Sequence, residues 1–301
     1  MAAWRRHACS HHICRETAGV NIVLVYNPKS GSALNATTLR QKCDAAGIHI
    51  DTLIAIDDTL KAQLTPHIEK AAIIGAIGGD GTISAVAGLV AGTEATLLPL
   101  PGGTLNHFTK DLGITQNIDD ALKHAATGNP RAVDIARVND TRFINNSSIG
   151  IYPSTLHERK EIEPKIGKWA AAVVASFRAL VRLKTYRVTI DGETFDTPFI
   201  FVGNNRYSLD GTSGVERSSL DQGVLTVFVA KTQSRLVLLK IALFALVGKV
   251  KELDEFDTFH PTRLSVKTTK STLSVSHDGE VSRLSSPLDY HVESHALRII
   301  A

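Results

Sequence analysis

The chain has 301 residues, a formal net charge of +3 and an apolar fraction of 43%. Its length predicts about two domains, and this apolar fraction with so small a net charge excludes a disordered chain. The three cysteines, Cys9, Cys14 and Cys43, are too few for a disulfide-stabilised fold, which favours a reducing compartment. The weak charge excess argues against a dedicated nucleic-acid binder.

The first 19 residues lack the apolar core of a secretory signal, so we expect a disordered leader at 1–19. Cys9, His11, His12 and Cys14 are metal-ligand types, but a zinc site normally has a second ligand pair at a set spacing. The longest apolar stretch, 236–248, contains Lys240 and is shorter than the roughly 20 residues of a membrane span. We therefore expect no transmembrane segment.

Short apolar runs alternate with amphipathic stretches in the first part of the chain. We predict buried strands at 22–25, 48–54, 73–74 and 96–100, and helices at 34–46, 60–70 and 83–90. This alternation predicts a parallel sheet with helices on both faces. Ligands of such sheets bind beyond the carboxyl ends of the strands, so the loops after the strands are the candidate site.

After Ala132 the chain changes to strands joined by short turns. We predict strands at 132–138, 141–147, 186–190, 194–202, 224–230, 264–267, 273–276 and 297–300. Asn139-Asp140 and Asp191-Gly192 are typical of two-residue hairpin turns. We therefore expect an α/β domain at 20–133 followed by a mostly antiparallel β domain at 134–301.

Three glycine-containing loops directly follow three of the predicted strands. They are Asn27-Pro28-Lys29-Ser30-Gly31-Ser32, Gly78-Gly79-Asp80-Gly81-Thr82 and Pro101-Gly102-Gly103-Thr104-Leu105-Asn106. Glycine lets the backbone approach a ligand, and the N–H groups at a helix start favour anions. One such loop is an ordinary turn as readily as a site, but three at neighbouring strand ends converge on one crevice. The loops match neither the Walker A nor the Gly-x-Gly-x-x-Gly pattern, so they predict a different phosphate-binding architecture.

In this order and spacing, the three loops resemble those of the diacylglycerol kinase catalytic-domain family, which includes bacterial soluble lipid kinases and sphingosine kinases. The resemblance covers about residues 21–300. Gly-Gly-Asp-Gly-Thr alone is shared with NAD kinases, and the loops on either side of it make the combination specific. The resemblance implies an α/β domain that binds ATP, followed by a β-sandwich domain, with ATP in the cleft between them.

The resemblance also implies which residues bind the nucleotide. The phosphates would lie on the 78–82 loop, and Asn27, Thr82 and Thr104 would hydrogen-bond to ATP. The matched loop positions are Asn27, Pro28, Ser30, Gly31, Gly78, Gly79, Asp80, Gly81, Thr82, Gly103, Thr104 and Asn106.

Phosphoryl transfer to a hydroxyl needs a group that orients and deprotonates this hydroxyl, and Mg²⁺ to neutralise the phosphates. Asp278-Gly279-Glu280 resembles the late Asp-Gly-Glu motif of the family, which implies that Asp278 is the general base and that Glu280 supports the site. Asp191-Gly192-Glu193 has the same letters, but strand patterns flank it on both sides, and we predict a hairpin turn there. His277 either tunes the site or is an incidental strand residue.

The sequence departs from the family pattern at three places. Ser84-Ala85 stands where the family commonly has Asn-Glu, and His107 stands where it has Asp. Gln222 replaces the second Asp of a Leu-Asp-Asp-Gly motif that is associated with a structural Mg²⁺ site. The remaining candidate metal ligands are Asp80 and Asp221.

Together these features predict a cytoplasmic, ATP- and Mg²⁺-dependent lipid kinase of phospholipid biosynthesis. It would transfer the γ-phosphate to a lipid hydroxyl such as that of diacylglycerol. Residues 157–187 carry eight Lys/Arg against three Glu, with an apolar stripe at helical spacing. This helix either lies on an anionic membrane surface or packs within the domain. The apolar helix at 236–247 is either buried or lines an acyl-chain pocket.

Two alternatives remain from the sequence. An NAD kinase-like enzyme would share the 78–82 loop, but it explains neither the first loop nor Asp278-Gly279-Glu280. A non-catalytic nucleotide- or lipid-binding relative would explain Ser84-Ala85 and Gln222. We expect no nucleic-acid partner, and a homodimer is left open.

Overall fold

The computed structural model describes residues 20–28, 30, 34–150, 185–190, 192–211, 214–217, 219–230, 234 and 256–301. The predicted leader, the predicted apolar helix at 236–247 and nearly all of the predicted basic helix at 157–187 lie outside these residues. Among the helices of the described ranges, none is long and apolar enough to cross a membrane.

Helices and strands alternate in the first part of the chain. In order, the elements are β1 (Val20–Tyr26), α1 (Ala36–Ala45), β2 (Ile48–Ala55), α2 (Leu60–Ile68), β3 (Ile73–Gly78), α3 (Asp80–Val90), β4 (Thr96–Pro101), α4 (His107–Asp111) and α5 (Ile118–Ala125). The first four strands lie in the order β2-β1-β3-β4 and pair in parallel. This confirms the predicted parallel α/β arrangement.

The second part is built from strands. They are β5 (Pro130–Val138), β6 (Thr141–Phe143), β7 (Asn146–Gly150), β8 (Tyr186–Ile190), β9 (Glu193–Thr197), β10 (Phe199–Asn204), β11 (Tyr207–Gly211), β12 (Gly214–Arg217), β13 (Leu225–Ala230), β14 (Phe256–Phe259), β15 (Arg263–Thr268), β16 (Thr272–His277), β17 (Glu280–Ser285) and β18 (Leu288–Ile300). A six-stranded antiparallel sheet has the order β14-β13-β10-β7-β16-β17. It packs on the larger sheet, and this confirms the expected β-sandwich.

The core of the sandwich is apolar on both facing sheets. Val202 and Val227 of the six-stranded sheet pack with Val188, Val266 and Leu288 of the larger one, and all five are fully or almost fully buried. Val188, Val266 and Leu288 have polar neighbours along their strands, as a half-buried strand requires, whereas β13 is buried along its whole length.

β18 is three times longer than the strand predicted at 297–300. Its first half pairs with β15, its last residues lie beside β4, and β5 pairs along most of its length. Polar residues and a bulge between Glu293 and Leu297 interrupt the apolar pattern in the middle, which is why the sequence pattern predicts only the end. The strand thereby joins the parallel sheet to the sandwich in one ten-stranded sheet.

Two predicted strands are wrong as single elements: the strand at 194–202 divides into β9 and β10, and the strand at 141–147 divides into β6 and β7. β6 stays with β5, whereas β7 enters the six-stranded sheet beside β10 and β16. The chain passes from one sheet to the other at residues 144–146, which we call the bridging segment. Its peptide N–H groups bind a side chain rather than a strand partner, as described below.

The last strand should be necessary for the first sheet. Leu297 is fully buried in the core between the parallel sheet and its helices, so Leu297→Ala should lower the free energy of unfolding by about 2–5 kcal/mol. Val281 of β17 is 42% exposed, and Val281→Ala should cost less than about 1 kcal/mol. Urea unfolding followed by circular dichroism measures both, and equal losses would contradict this role of β18.

Candidate active site

The three glycine loops meet at the carboxyl edge of the parallel sheet. The Ser30 hydroxyl donates to the Gly102 carbonyl at 2.6 Å, and the Gly102 N–H donates to the Gly78 carbonyl at 3.0 Å. The Asn27 amide reaches the Thr82 hydroxyl at 3.5 Å. The structure thus brings the loops together as the sequence predicts, each in contact with at least one other.

Backbone packing between the second and third loops explains their glycines. A Cβ atom on Gly103 would lie 2.4 Å from the Gly79 Cα atom, and one on Gly102 would lie 2.8 Å from the Gly78 nitrogen. Any side chain at these positions would therefore push the two loops apart. Their close approach leaves a cavity of about 460 Å³ above them.

The second loop is the first turn of α3. Gly79 is extended and forms the N-cap, and its carbonyl accepts the Thr82 N–H. The helix therefore begins at Asp80, three residues before the predicted start. Its unpaired first-turn N–H groups lie at the carboxyl end of β3, where an anion is favoured.

Asp80 and Asn106 hold the loops in shape. The two oxygens of Asp80 accept the N–H groups of His107 at 3.1 Å and Phe108 at 3.0 Å, at the start of α4. Asn106 has a left-handed backbone, and its side chain bonds to both the N–H and the carbonyl of Gly103. His107 thus contributes its peptide N–H, which depends little on the side chain that replaces the family's aspartate.

The cavity over the loops contains most of the predicted nucleotide-binding positions. Pro28 is exposed nearby, and Gly31 lies outside the described residues. The lining residues are Asn27, Ser30, Ile56, Gly79, Gly81, Thr82, Ala85, Gly103, Thr104 and Glu280. Glu280 reaches this cavity from the second part of the chain.

Asp278 and Gly279 form the two-residue turn between β16 and β17. His277 pairs with Glu280, and both turn residues have positive φ, 45° for Asp278 and 84° for Gly279. Such a turn suits Asp-Gly. The hairpin delivers its turn to the bridging segment and to α3, so that Asp278 lies beside the first part of the chain.

The Asp278 carboxylate accepts four hydrogen bonds. One oxygen accepts from the Asn145 N–H at 2.8 Å and the Asn146 N–H at 3.1 Å. The other accepts from the Ile144 N–H at 2.8 Å and from the Ser84 hydroxyl. Burial raises the pKa of Asp278 above its ordinary value, and these four donors oppose the rise. The carboxylate is thus partly buried and accepts four hydrogen bonds.

A second cavity of about 440 Å³ lies on the other side of Glu280. Gly81, Ala85 and Glu280 line both cavities. The second one is also lined by Ser84, Gly88, Leu89, Arg137, Asp140, Thr141, Arg142, His277 and Asp278. The two cavities therefore share Glu280 as a lining residue. The glycine loops line one cavity, and Asp278 lines the other.

Two arginines form the far wall of the second cavity. Arg142 donates to Glu293 at 2.8 Å and to the carbonyls of Gly88 and Ala91 at the end of α3. Arg137 donates to Asp140 at 2.9 Å. Their charges are compensated by carboxylates, so the wall is polar without being strongly basic.

Arg217 binds a carbonyl group of the bridging segment, whereas Asp278 binds its N–H groups. The Arg217 side chain is completely buried and donates to Asp111 at 2.7 Å, to the Ile144 carbonyl at 2.7 Å and to the Asn145 side chain at 2.6 Å. Tyr207 packs beneath the guanidinium and donates to the Asn145 carbonyl at 2.9 Å. Burial raises the pKa of Tyr207 to about 12, so it stays a donor at neutral pH.

The described residues do not form a protein-built metal centre. They contain no cluster of three or more His, Cys, Asp or Glu side chains. Asp221 is exposed and accepts the Ser219 hydroxyl, and Asp80 is engaged at α4. Gln222 accepts the Arg206 N–H at 3.1 Å instead of acting as a ligand. This donor set fits a Mg²⁺ ion that takes most of its ligands from bound phosphates and water.

Both Asp-Gly-Glu sequences occur where two antiparallel strands are joined. Ile190 pairs with Glu193 in β8 and β9, as His277 pairs with Glu280 in β16 and β17, which agrees with the hairpin predicted at the first sequence. Position between two paired strands therefore does not distinguish an Asp-Gly-Glu sequence in a functional site from one in an ordinary turn. What distinguishes Asp278 is the bridging segment that its carboxylate binds. Its neighbour His277 bonds to Ser282 at 2.9 Å and has a pKa lowered by burial.

Several residues of the site carry no sequence signal of their own. Arg217, Asn145 and Tyr207 belong to no motif, and only the three-dimensional fold brings them together. Ser84 stood out in the sequence as a departure from the family pattern. Its contact with Asp278 spans 194 positions of the chain, so no local pattern could predict it.

Comparison with protein families identifies both parts of the chain. Residues 21–138 match the diacylglycerol kinase catalytic domain, and residues 154–301 match the YegS C-terminal NAD kinase beta sandwich-like domain. The two matches follow each other in the order that the resemblance of the loops implies.

Curated relatives agree with these matches. The chain is 34% identical over 182 residues to a "Probable lipid kinase YegS-like" of Enterobacter sp. (strain 638), covering 55% of this chain and 60% of the relative. It is 35% identical over 185 residues to a protein of the same name from Klebsiella pneumoniae (strain 342), covering 58% and 59%. The chain thus spans about 60% of the length of these relatives.

Solved structures share the fold over nearly the whole chain. The crystal structure of a diacylglycerol kinase from Bacillus anthracis str. Sterne aligns with a TM-score of 0.65 at 21% identity, covering 93% of this chain and 96% of the other. Another solved chain from this organism aligns with a TM-score of 0.69 at 25% identity and the same coverage.

The contact between the second and third loops is testable through Gly103. The Cβ atom of Gly103→Ala would meet backbone, so we expect a loss of about 1–3 kcal/mol in the free energy of unfolding. The matched control is Gly88→Ala inside α3, where the nearest atom lies 3.8 Å away. It should be neutral or stabilising by up to about 1 kcal/mol. Urea unfolding should show a loss of stability for Gly103→Ala alone, and a neutral Gly103→Ala would contradict the packing.

Proposed function

We propose that this chain, built from a diacylglycerol kinase catalytic domain and a YegS-type sandwich domain, is an ATP-dependent lipid kinase. It would transfer the γ-phosphate of ATP to the hydroxyl of a diacylglycerol-like lipid. The observation that carries the proposal is the pair of adjoining cavities, one over the glycine loops and one beside Asp278, which share Glu280.

The cavity over the loops suits the ATP phosphates. It is lined by glycine backbone and by the hydroxyls of Ser30, Thr82 and Thr104, and α3 begins at its floor. Helix N-terminal N–H groups and small residues are what phosphate binding requires. The proposed hydrogen bonds to the nucleotide are those that the resemblance implies, from Asn27, Thr82 and Thr104.

The cavity beside Asp278 suits the acceptor. We assign the role of general base to Asp278, whose pKa is raised by burial, and a supporting role to Glu280. The acceptor oxygen would attack the γ-phosphorus, the bond between this phosphorus and the ADP oxygen would break, and the acceptor proton would pass toward Asp278. Positioning by the two cavities supplies most of the catalysis in such a loose transition state.

Mg²⁺ would neutralise charge on the phosphates when it is bound. We propose that ATP carries this ion into the site, with Asp80 and Asp221 as the candidate carboxylate ligands. Mg²⁺ commonly binds through substrate phosphates, water and only one or two carboxylates.

We also propose the division of the chain at 20–133 and 134–301. The ranges of the two family matches, 21–138 and 154–301, are compatible with it, although β18 returns to the first sheet. We further propose a cytoplasmic enzyme that docks at a membrane surface, because its co-substrate would be ATP and its acceptor a membrane lipid.

The activity is tested with γ-labelled ATP and a total lipid extract. We expect labelled phosphate in the organic phase, and mass spectrometry of this phase identifies the lipid. Label that appears only in the aqueous phase with NAD present would favour an NAD kinase-like enzyme. ATP binding by thermal shift without turnover on any extract would favour a non-catalytic relative.

The same assay tests the assignment of the base. Asp278→Asn should lower the rate by about 100-fold or more, because an amide cannot take up the proton. Asp289→Asn is the matched control, since this exposed carboxylate also accepts a serine hydroxyl, from Ser265 at 2.7 Å, and it should leave the rate unchanged.

A second variant tests the assignment if Asp278→Asn does not fold. Glu280 is exposed, so Glu280→Gln should leave the thermal unfolding midpoint unchanged. It should slow phosphoryl transfer at least about tenfold. A rate within threefold of wild type for both variants would contradict the assignment.

A further inference from the structure

Ser84 lines the second cavity beside the half-buried Asp278. It belongs to α3, one turn after the second glycine loop, and is half-buried in the cavity wall together with Gly81 and Ala85. Its hydroxyl donates to Asp278 across the junction between the two parts of the chain. The residue that departs from the family pattern therefore contacts the proposed base directly.

The other donors to Asp278 leave no oxygen open. Three of the four hydrogen bonds come from the consecutive peptide N–H groups of the bridging segment. These groups are fixed by the backbone, which Arg217 and Tyr207 hold from the other side. A carboxylate has about four lone-pair sites, so every site is filled. Ser84 is the only side chain among the four donors.

Ser84 and Asp278 both line the second cavity, but the lone-pair sites of the Asp278 carboxylate already accept four hydrogen bonds, so an acceptor hydroxyl there would donate to Ser84. A serine hydroxyl that donates its proton still has two lone pairs with which to accept a hydrogen bond. Ser84 lines the cavity and can therefore accept from an acceptor hydroxyl there while it donates to Asp278. Ala85, which takes the place of a larger family residue, lines both cavities and leaves the path to the phosphate side open.

We propose that Ser84 is a catalytic residue that relays the proton from the acceptor hydroxyl to Asp278. This inference rests on the proposed kinase function and adds a residue to it. As the acceptor oxygen bonds to the γ-phosphorus and ADP leaves, the acceptor O–H bond breaks and its proton passes to the Ser84 Oγ atom. The original Ser84 proton passes to Asp278, so the serine is regenerated and the carboxylate ends protonated. Asp278 returns this proton to solvent after the product leaves.

The test compares Ser84→Ala and Ser84→Thr with wild type in the lipid-labelling assay. Ser84→Ala should lower kcat by about 100-fold, the lower end of what proton transfer contributes. The affinity for ATP should stay within about threefold, because Ser84 does not line the cavity over the loops. The loss of one hydrogen bond should raise the KM for the acceptor by at most about tenfold. Ser84→Thr retains the hydroxyl, its extra methyl group can enter the cavity, and it should restore kcat to within about tenfold of wild type.

Ser265→Ala is the matched control, because it removes a serine hydroxyl that donates to an exposed carboxylate, that of Asp289. It should leave kcat unchanged. A Ser84→Ala enzyme within threefold of wild-type kcat would overturn the relay, and so would a Ser84→Thr enzyme as slow as Ser84→Ala. Wild-type protein without activity on any lipid would instead contradict the proposed function and remove the basis of the relay with it.

Discussion

The structure depends on one carboxylate that takes the place of a strand partner. The Asp278 side chain binds three consecutive peptide N–H groups of residues 144–146, where the chain leaves one sheet and enters the other. Buried peptide groups must be paired, and here a turn residue from a distant hairpin pairs them. The same contact places the Asp278 carboxylate beside α3, which begins in the second glycine loop. The group that holds the passage between the two sheets is therefore also the proposed base.

Buried polar contacts hold the other side of this joint. Arg217 and Tyr207 bind the carbonyl groups of the bridging segment, and Arg217 is itself paired with Asp111 of α4. A fully buried guanidinium is tolerated only when its charge and donors are satisfied. Because α4 is also hydrogen-bonded to the second glycine loop through Asp80, a continuous set of contacts joins the glycine loops to the bridging segment that Asp278 binds.

Local sequence patterns were sufficient to predict the elements that follow a single hydrophobic periodicity or a single turn signal. The strands that precede the glycine loops, the loops themselves and the hairpin at 191–193 follow from apolar runs and turn residues alone. The strand at 141–147 failed because no local sequence signal marks residues 144–146, where the backbone changes sheets. β18 was underestimated because a bulge and several polar residues break its alternation. Ser84 and Arg217 act through contacts far along the chain, which periodicity cannot encode.

The central claim is that ATP phosphates and Asp278 face each other across Glu280. A crystal structure with a non-hydrolysable ATP analogue tests it most directly. We expect the triphosphate over residues 78–82 and 103–104, with its γ-phosphate toward Glu280 and the cavity that Ser84 lines. A triphosphate bound elsewhere, or one whose γ-phosphate points away from this cavity, would contradict the account.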